Sequence, residues 1–394
     1  MRRLAAAATL LAVASMSSPA LAGAPPAPAV PMLALQVSAG RGFACAVQTD
    51  HSVACFGTNA EGQLGLPRHT PWALVAKRIA GITTARQVVA GWDFGCVLVA
   101  GGRVRCFGDD GEDELGPTAA SPTQWTPAPA IPGLSGVASL AAGFDHVCAL
   151  TAHRTVECWG DNAEGQLGAN PKRVARSATP LRVARLSGVV AIAAGADFTC
   201  ALRLNRTVWC WGENGSMQLG RTLETQFDPT PQRIRGLRAS VAIATGSAHV
   251  CALLTTGRVA CWGDNLRGEL GRSPSALPFS RSPATVPGVT SVSSLAAGFD
   301  HTCAALRSGA AVCWGSDQDG QLGNGRAEPV AAPADVLDLG GVSSLAGGVF
   351  FTCARSSTGR VHCFGSGEFG QLGTGSRARL LRPHHEVVVR STPA

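Results

Sequence analysis

After Ala22, no run in this 394-residue chain approaches the roughly 18 apolar residues that a membrane-crossing helix needs. Nor does any stretch of about ten residues keep apolar positions at helical spacing, which argues against the helical fold classes. The G-x-S-x-G elbow, the H-E-x-x-H metalloprotease motif, the P-loop and the Rossmann glycine fingerprint are all missing. Their absence removes the common hydrolases, NTPases and dehydrogenases, so no enzyme, cofactor or metal centre is expected. Charge is sparse, 15% of residues, and the net +7 is mild for this length. Such a balance suits an acidic partner without calling for specific nucleic-acid binding.

What the chain does have is repetition. Leu140–Gly168, LAAGFDHVCALTAHRTVECWGDNAEGQLG, recurs seven times with a period of 50 to 52 residues. A period in that range marks a solenoid, a propeller or an array. Each copy carries two cysteines separated by nine residues. They are Cys45 with Cys55, Cys96 with Cys106, Cys148 with Cys158, Cys200 with Cys210, Cys251 with Cys261, Cys303 with Cys313 and Cys353 with Cys363, which together use all 14. Within one unit, Val189–Ala194, Phe198–Leu202 and Thr207–Trp211 read as strands, and a Pro-marked run such as Pro231–Ile234 reads as a fourth. Four short strands in a unit of this length describe a propeller blade.

The cysteine spacing tests that reading. If Cys251 faces Cys261 across an antiparallel hairpin, the loop is Thr255-Thr256-Gly257, with glycine where a left-handed residue is needed. Gly102, Gly309 and Gly359 share that place, whereas His51, Arg154 and Arg206 fit it less easily. Each pair is therefore read as a cross-strand disulfide. Two thiolates per unit with no regular histidine partner make a poor metal set.

Other recurrent positions have structural readings. The aromatic after the second cysteine (Phe56, Phe107, Trp159, Trp211, Trp262, Trp314, Phe364) is expected to pack between blades. Asn59, Asp110, Asn162, Asn214, Asn265 and Asp317 are expected in left-handed turns, and Leu64, Leu115, Leu167, Leu219, Leu270, Leu322 and Leu372 under the loops. Two residues before the first cysteine, Phe43, Phe94, His146, Phe198, His249, His301 and Phe351 suggest half-buried packing with a local hydrogen bond.

The start of the chain reads as an export signal. Arg2 and Arg3 precede an apolar segment, and Ala20-Leu21-Ala22 is a cleavage site, so residues 1–22 are expected to be removed. Residues 23–32 read as a Pro/Ala-rich linker, 33–390 as a single propeller and 391–394 as a tail. A secreted or periplasmic location favours oxidised cysteines.

These units resemble the repeats of the regulator of chromosome condensation family, whose pattern A-G-x-x-H-[ST]-x-A-L … V-x-x-W-G-x-N-x-x-G-Q-L-G is matched most fully by residues 141–168 and 296–323. The resemblance implies an all-β, seven-bladed propeller of four-stranded antiparallel blades, with the ring closed by its terminal strands. The Pro-marked run 383–389 would complete the blade begun by the N-terminus. A cysteine pair in every blade departs from the eukaryotic members. Nucleotide exchange and chromatin binding, the family's best-known activities, sit poorly with an export signal and with periods that leave no room for an inserted wedge. A secreted member that covers and inhibits β-lactamases makes an inhibitor of a secreted enzyme the alternative.

Binding is expected where repeats differ. Directly after the turn glycine stand Arg41, Trp92, Phe144, Ala196, Ser247, Phe299 and Val349, followed by Gly42, Asp93, Asp145, Asp197, Ala248, Asp300 and Phe350. Trp92, Phe144 and Phe299 beside Asp93, Asp145, Asp197 and Asp300 mark one face as a candidate surface for a protein or surface polysaccharide. Lys172, Arg173, Arg176, Arg182, Arg185, Arg233, Arg235 and Arg238 give the middle units a basic tendency suited to a polyanion. The acidic run 109–114 lacks a calcium-loop pattern. The chain is expected to be monomeric.

Overall fold

The computed structural model describes residues 29–119, 122–222 and 226–390. The expected signal peptide, most of the expected linker and the tail lie outside the described residues. Seven blades follow one another around an axis, and among the described residues there is no helix.

The first blade shows how sequence becomes sheet. β1 (Ala29–Pro31) precedes the blade, which comprises β2 (Ala34–Ala39), β3 (Phe43–Gln48), β4 (Val53–Thr58) and β5 (Trp72–Arg78), paired in that order and antiparallel. β2 lines the axis, with Val37, Ser38 and Ala39 facing the channel. β3 and β4 are almost wholly buried and alternate apolar side chains toward the two neighbouring blades. β5 is outermost and half-exposed.

Every expected cysteine pair forms. Cys45, Cys96, Cys148, Cys200, Cys251, Cys303 and Cys353 on the second strands stand directly opposite Cys55, Cys106, Cys158, Cys210, Cys261, Cys313 and Cys363 on the third strands. Each facing pair is bonded, giving seven disulfides with no free cysteine. The hairpin residue expected to be left-handed is so in all seven blades, with φ between 61° and 87°, including His51, Arg154 and Arg206.

The turn from first to second strand is equally constrained. A Cβ on Gly143 would run into the ring of His146 and the Gly195 carbonyl of the next blade. The seven turns stand so close around the axis that they bond to one another. Backbone N–H groups of Arg41, Trp92, Phe144, Ala196, Ser247, Phe299 and Val349 each donate to a carbonyl of the following blade's turn, at 3.0–3.3 Å. The last of these bonds, Val349 to Gly40, brings the ring back to its start.

Three expectations are corrected. The outer strand of each blade follows its three inner strands in sequence, so blade one supplies its own fourth strand, and the C-terminal run bridges blade seven before joining the outer edge of blade one's sheet. Residues 342–365 supply three strands, and the fourth position is taken through bridges Gly365↔Leu380 and His362↔Glu386. The chain then continues into Val388–Arg390, which pairs with β1 and lies parallel to β5. The termini thus close the ring, and the end of the expected linker is the strand that does so.

Second, Asn59 and its equivalents are not left-handed. Their side chains staple the loop instead, and all but the half-buried Asp110 are buried. Asn162 Oδ1 accepts from Leu167 N at 2.9 Å, while Nδ2 donates to the Ala169 and Val174 carbonyls. The left-handed residue lies three positions on, at Gly62, Asp113, Gly165, Met217, Gly268, Gly320 and Gly370.

Third, His146, His249 and His301 are fully buried, and their bonds cross between blades. Their Nε2 atoms meet the hydroxyls of Thr199, Thr302 and Thr352 of the next blade at 2.8–3.0 Å. Each threonine in turn donates to a loop carbonyl of the histidine's own blade, that of Gln166, Glu269 or Gln321. The threonine therefore accepts from the ring, which fixes the proton on Nε2. Burial holds these rings far below the usual histidine range, at about 3, 3 and 4.

The inter-blade aromatics and the loop leucines are buried as expected. Trp159, Trp211, Trp262 and Trp314 each also donate Nε1–H to a loop carbonyl of the preceding blade, at 2.7–2.9 Å.

Candidate functional site: the mouth of the propeller

All seven turns open on one end of the axis, together with the long loops between third and fourth strands. We call this end the mouth. The first strands enclose a narrow channel of about 270 Å³, walled by Ala, Gly, Ser and Val from every blade.

Position along the radius decides which residues meet. Side chains directly after the turn glycine project where the blades are closest, so those from distant blades can touch. Trp92 of blade two, Phe144 of blade three and Phe299 of blade six converge over the channel. Ring centroids lie 4.1 Å apart for Trp92–Phe144, 5.9 Å for Trp92–Phe299 and 5.6 Å for the stacked Phe144–Phe299 pair. All three are half-buried, and the Arg41 guanidinium lies over Trp92 at 5.2 Å.

Around this cluster stand the carboxylates. Asp93 is held by Arg41 at 3.3 Å and by Gln63 Nε2 at 2.9 Å, and Asp300 accepts from Ser247 Oγ at 3.2 Å. Asp145 and Asp197 have no side-chain hydrogen-bond partner among the described residues. None of the four caps its own turn.

Sequence reasoning missed a second tier one place beyond the aromatic–Gly pair: Asp109, Asp161, Glu213 and Asp264 in blades two to five. Their backbone N–H groups bond to the carbonyls of Asp93, Asp145, Asp197 and Ala248, which sets acid beside acid in blades two to four. The signal was readable by the same comparison of repeats, because the other three blades have Thr58, Ser316 and Ser366 there.

Crowding and burial make these acids weak. Desolvation, reinforced by neighbouring carboxylates, pushes Asp145 up to about 6 and Asp197 up to about 7. Asp93 and Asp300 are also raised by desolvation, with Arg41 and Ser247 respectively pulling the other way. Glu114 and Glu269 replace the usual loop glutamine; burial lifts them to about 9 and about 8. Glu269 Oε1 has no hydrogen-bond partner. It borders a cleft with Phe144, Glu213, Asp264, Phe299 and Asp300.

This arrangement can hold cationic and apolar groups together. It has no nucleophile–base pair, and among the described residues no group of three or more His, Cys, Asp or Glu side chains could hold a metal ion. The acidic run 109–114 is absorbed into its loop, where Asp110 Oδ1 accepts from Leu115 N and Glu114 from Glu112 N.

The basic residues divide between the ends. Arg176 lies by the mouth and pairs with Glu112 and Asp113. Arg182, Arg185, Arg233, Arg235 and Arg238 lie toward the opposite end, where the hairpins turn.

Comparison with known proteins gives one consistent result. The RCC1-like domain family matches residues 15–336, and the Regulator of chromosome condensation (RCC1) repeat matches 342–371. The secretion-regulating guanine nucleotide exchange factor of Bos taurus is 29% identical over 333 residues, 76% of this chain and 70% of that protein. Protein pim1 of Schizosaccharomyces pombe is 29% identical over 68% of this chain, a match that takes in only 52% of its own length. Among solved structures, Prp20p of Saccharomyces cerevisiae, studied for its binding properties to Gsp1p and histones, superposes with a TM-score of 0.73 at 23% identity, covering 81% of each chain.

Proposed function

This chain belongs to the RCC1-like family, and from that premise we propose that it is an exported binding propeller that engages a partner protein at its mouth without turnover. The observation that carries this reading is the convergence of Trp92, Phe144 and Phe299 over the channel inside an arc of dehydrated carboxylates. Rigid half-buried rings supply contact area at little entropic cost. Carboxylates raised by burial recover their charge when a cation replaces their lost solvent. The mouth therefore fits a segment that is basic and apolar together.

Seven disulfides favour an oxidising compartment, and among the described residues no helix is long and apolar enough to cross a membrane. For the same reason nucleotide exchange, named in the cattle relative, is disfavoured here, because small GTPases work in a reducing cytosol.

The test is affinity capture with the oxidised chain from extracytoplasmic fractions, followed by cross-linking and quantitative binding. One stoichiometric protein cross-linked beside Phe144 or Phe299 is expected. Replacing Trp92, Phe144 and Phe299 together by Ala should weaken it at least about 100-fold. Cross-links confined to the outer strands, or unchanged affinity in the folded triple variant, would sink the reading.

A further inference from the structure

The opposite end of the axis, where the hairpins turn, has its own chemistry. Arg154 at the hairpin of blade three, Arg185 in the loop to blade four, Arg206 at the hairpin of blade four, Arg235 and Arg238 in the next loop and Arg258 at the hairpin of blade five are all exposed. None makes an ion pair among the described residues. Glu157, the cross-strand neighbour of Arg182, makes none either.

These segments form one continuous rim. Val189 N donates to the Arg154 carbonyl, Leu204 N to Gly188, Arg203 Nε to Ser187, and Ser240 N to Arg206. Apolar side chains stand out among the charges: Leu204 at the tip of its hairpin is 57% exposed, Val241 48% and Val190 42%.

Backbone conformation supplies an independent observation. Arg154, Arg185 and Arg206 have φ of 61°, 58° and 64°, the left-handed region that disfavours any residue with a Cβ. Other blades fill the same hairpin place with Gly102, Gly257, Gly309 and Gly359, and the same loop place with Gly81, Gly133, Gly236 and Gly288. His51, Ser291 and Asp338 are the other non-glycine residues in this state on the hairpin end, and they are scattered over other blades. Three arginines held at a conformational cost on one arc are a pattern the fold does not require.

We propose that the hairpin end of blades three to five is a docking surface for an anionic lipid bilayer. Unpaired arginines meet the headgroup phosphates, and Leu204, Val190 and Val241 enter the interface between them. Permanent positive charge interspersed with protruding aliphatic side chains is the composition of a peripheral membrane contact. A neutral glycan would instead call for an open aromatic platform, and the half-buried Trp209 of this arc has the Arg203 guanidinium over its ring at 5.2 Å. The surface lies at the far end of the axis from the mouth, so a docked propeller would present its mouth away from the bilayer.

The experiment is flotation of the oxidised full chain with vesicles of phosphatidylcholine alone or with about a third phosphatidylglycerol. Binding only to the anionic vesicles is expected, and it should fall as salt is raised. Combined Arg154→Gly, Arg185→Gly and Arg206→Gly should lower partitioning about 100-fold while Tm holds or rises by about 1–3 °C. Leu204→Asp should lower partitioning at least about fivefold. No binding to anionic vesicles at low salt would overturn the proposal. So would binding indifferent to these substitutions, a fall in Tm of the triple-glycine variant, or retention on a phosphorylated polysaccharide with none on vesicles. Loss of the mouth's protein partner leaves these readouts untouched, so the two readings fail separately.

Discussion

The two ends of the propeller axis stand on the same strands and yet carry charge in opposite ways. At the mouth, acids crowd together beside half-buried rings, and their ionisation is conditional: Asp145 and Asp197 sit near 6 and 7. At the hairpin end of blades three to five, arginines are spread over exposed loops, without ion-pair partners among the described residues. The strand ladder is indifferent to this difference because both sets lie beyond its last hydrogen bonds. Burial explains the contrast. Turns near the axis squeeze water from whatever they carry, whereas hairpin tips splay into solvent.

The largest effect should come from pH. Lowering it from 8 to 5 protonates Asp145 and Asp197, so affinity of the mouth for a basic partner should fall about 10- to 100-fold, while vesicle binding at the hairpin end changes less than about twofold. Asp145→Asn with Asp197→Asn should flatten that dependence, as isothermal titration across pH would show.

The next test separates dehydration from charge at the mouth. Glu269 has a raised folded-state pKa, so its contribution to stability is full below about 4.5 and is lost as pH rises through 8. Glu269→Gln, the residue that five other blades carry, should therefore stabilise by about 2 kcal/mol or more at pH 9 and by little at pH 5. Chemical denaturation at both values measures it.

A smaller effect lies beneath the mouth. Histidines held at about 3 to 4 act in the opposite sense: stability is lost as pH falls from about 6.5 toward those values, because only the unfolded chain takes up the protons. His146→Phe with Thr199→Val should change stability by less than about 1 kcal/mol at pH 7 and shift acid unfolding to lower pH. Circular dichroism during acid titration reads it directly.

How much of this was legible in sequence depended on whether a feature is local to one repeat. Cysteine spacing defined the hairpin register because an antiparallel pair has a fixed index sum, and the seven repeats agree with the seven sheets. The histidines were read as packing positions with a hydrogen bond, and their cross-blade partners were legible in principle but missed. Thr199, Thr302 and Thr352 follow the three histidine blades, whereas Gly95, Val147, Val250 and Ala44 follow the phenylalanine blades. That correlation spans a full period and is invisible within one unit. Asn59 and its equivalents were recognised as structural for the wrong reason, since a left-handed turn and a side-chain staple favour the same residue types. That Trp92, Phe144 and Phe299 share one face was readable from the repeats, but that their rings touch was not, because contact between blades two, three and six depends on radius and a sequence has none.

The ring of hydrogen bonds around the mouth has every donor pointing the same way round. It is a closed circuit in which no turn is first or last. An open solenoid can fray from either end, repeat by repeat, but a circuit broken at any blade strands a donor and an acceptor at the inner rim. The terminal strands prevent the same break on the outside by pairing across the one covalent gap. Loss of one blade should then mean loss of all seven in a single cooperative step, and the disulfides, each confined to its own hairpin, would hold the local pieces without holding the circle.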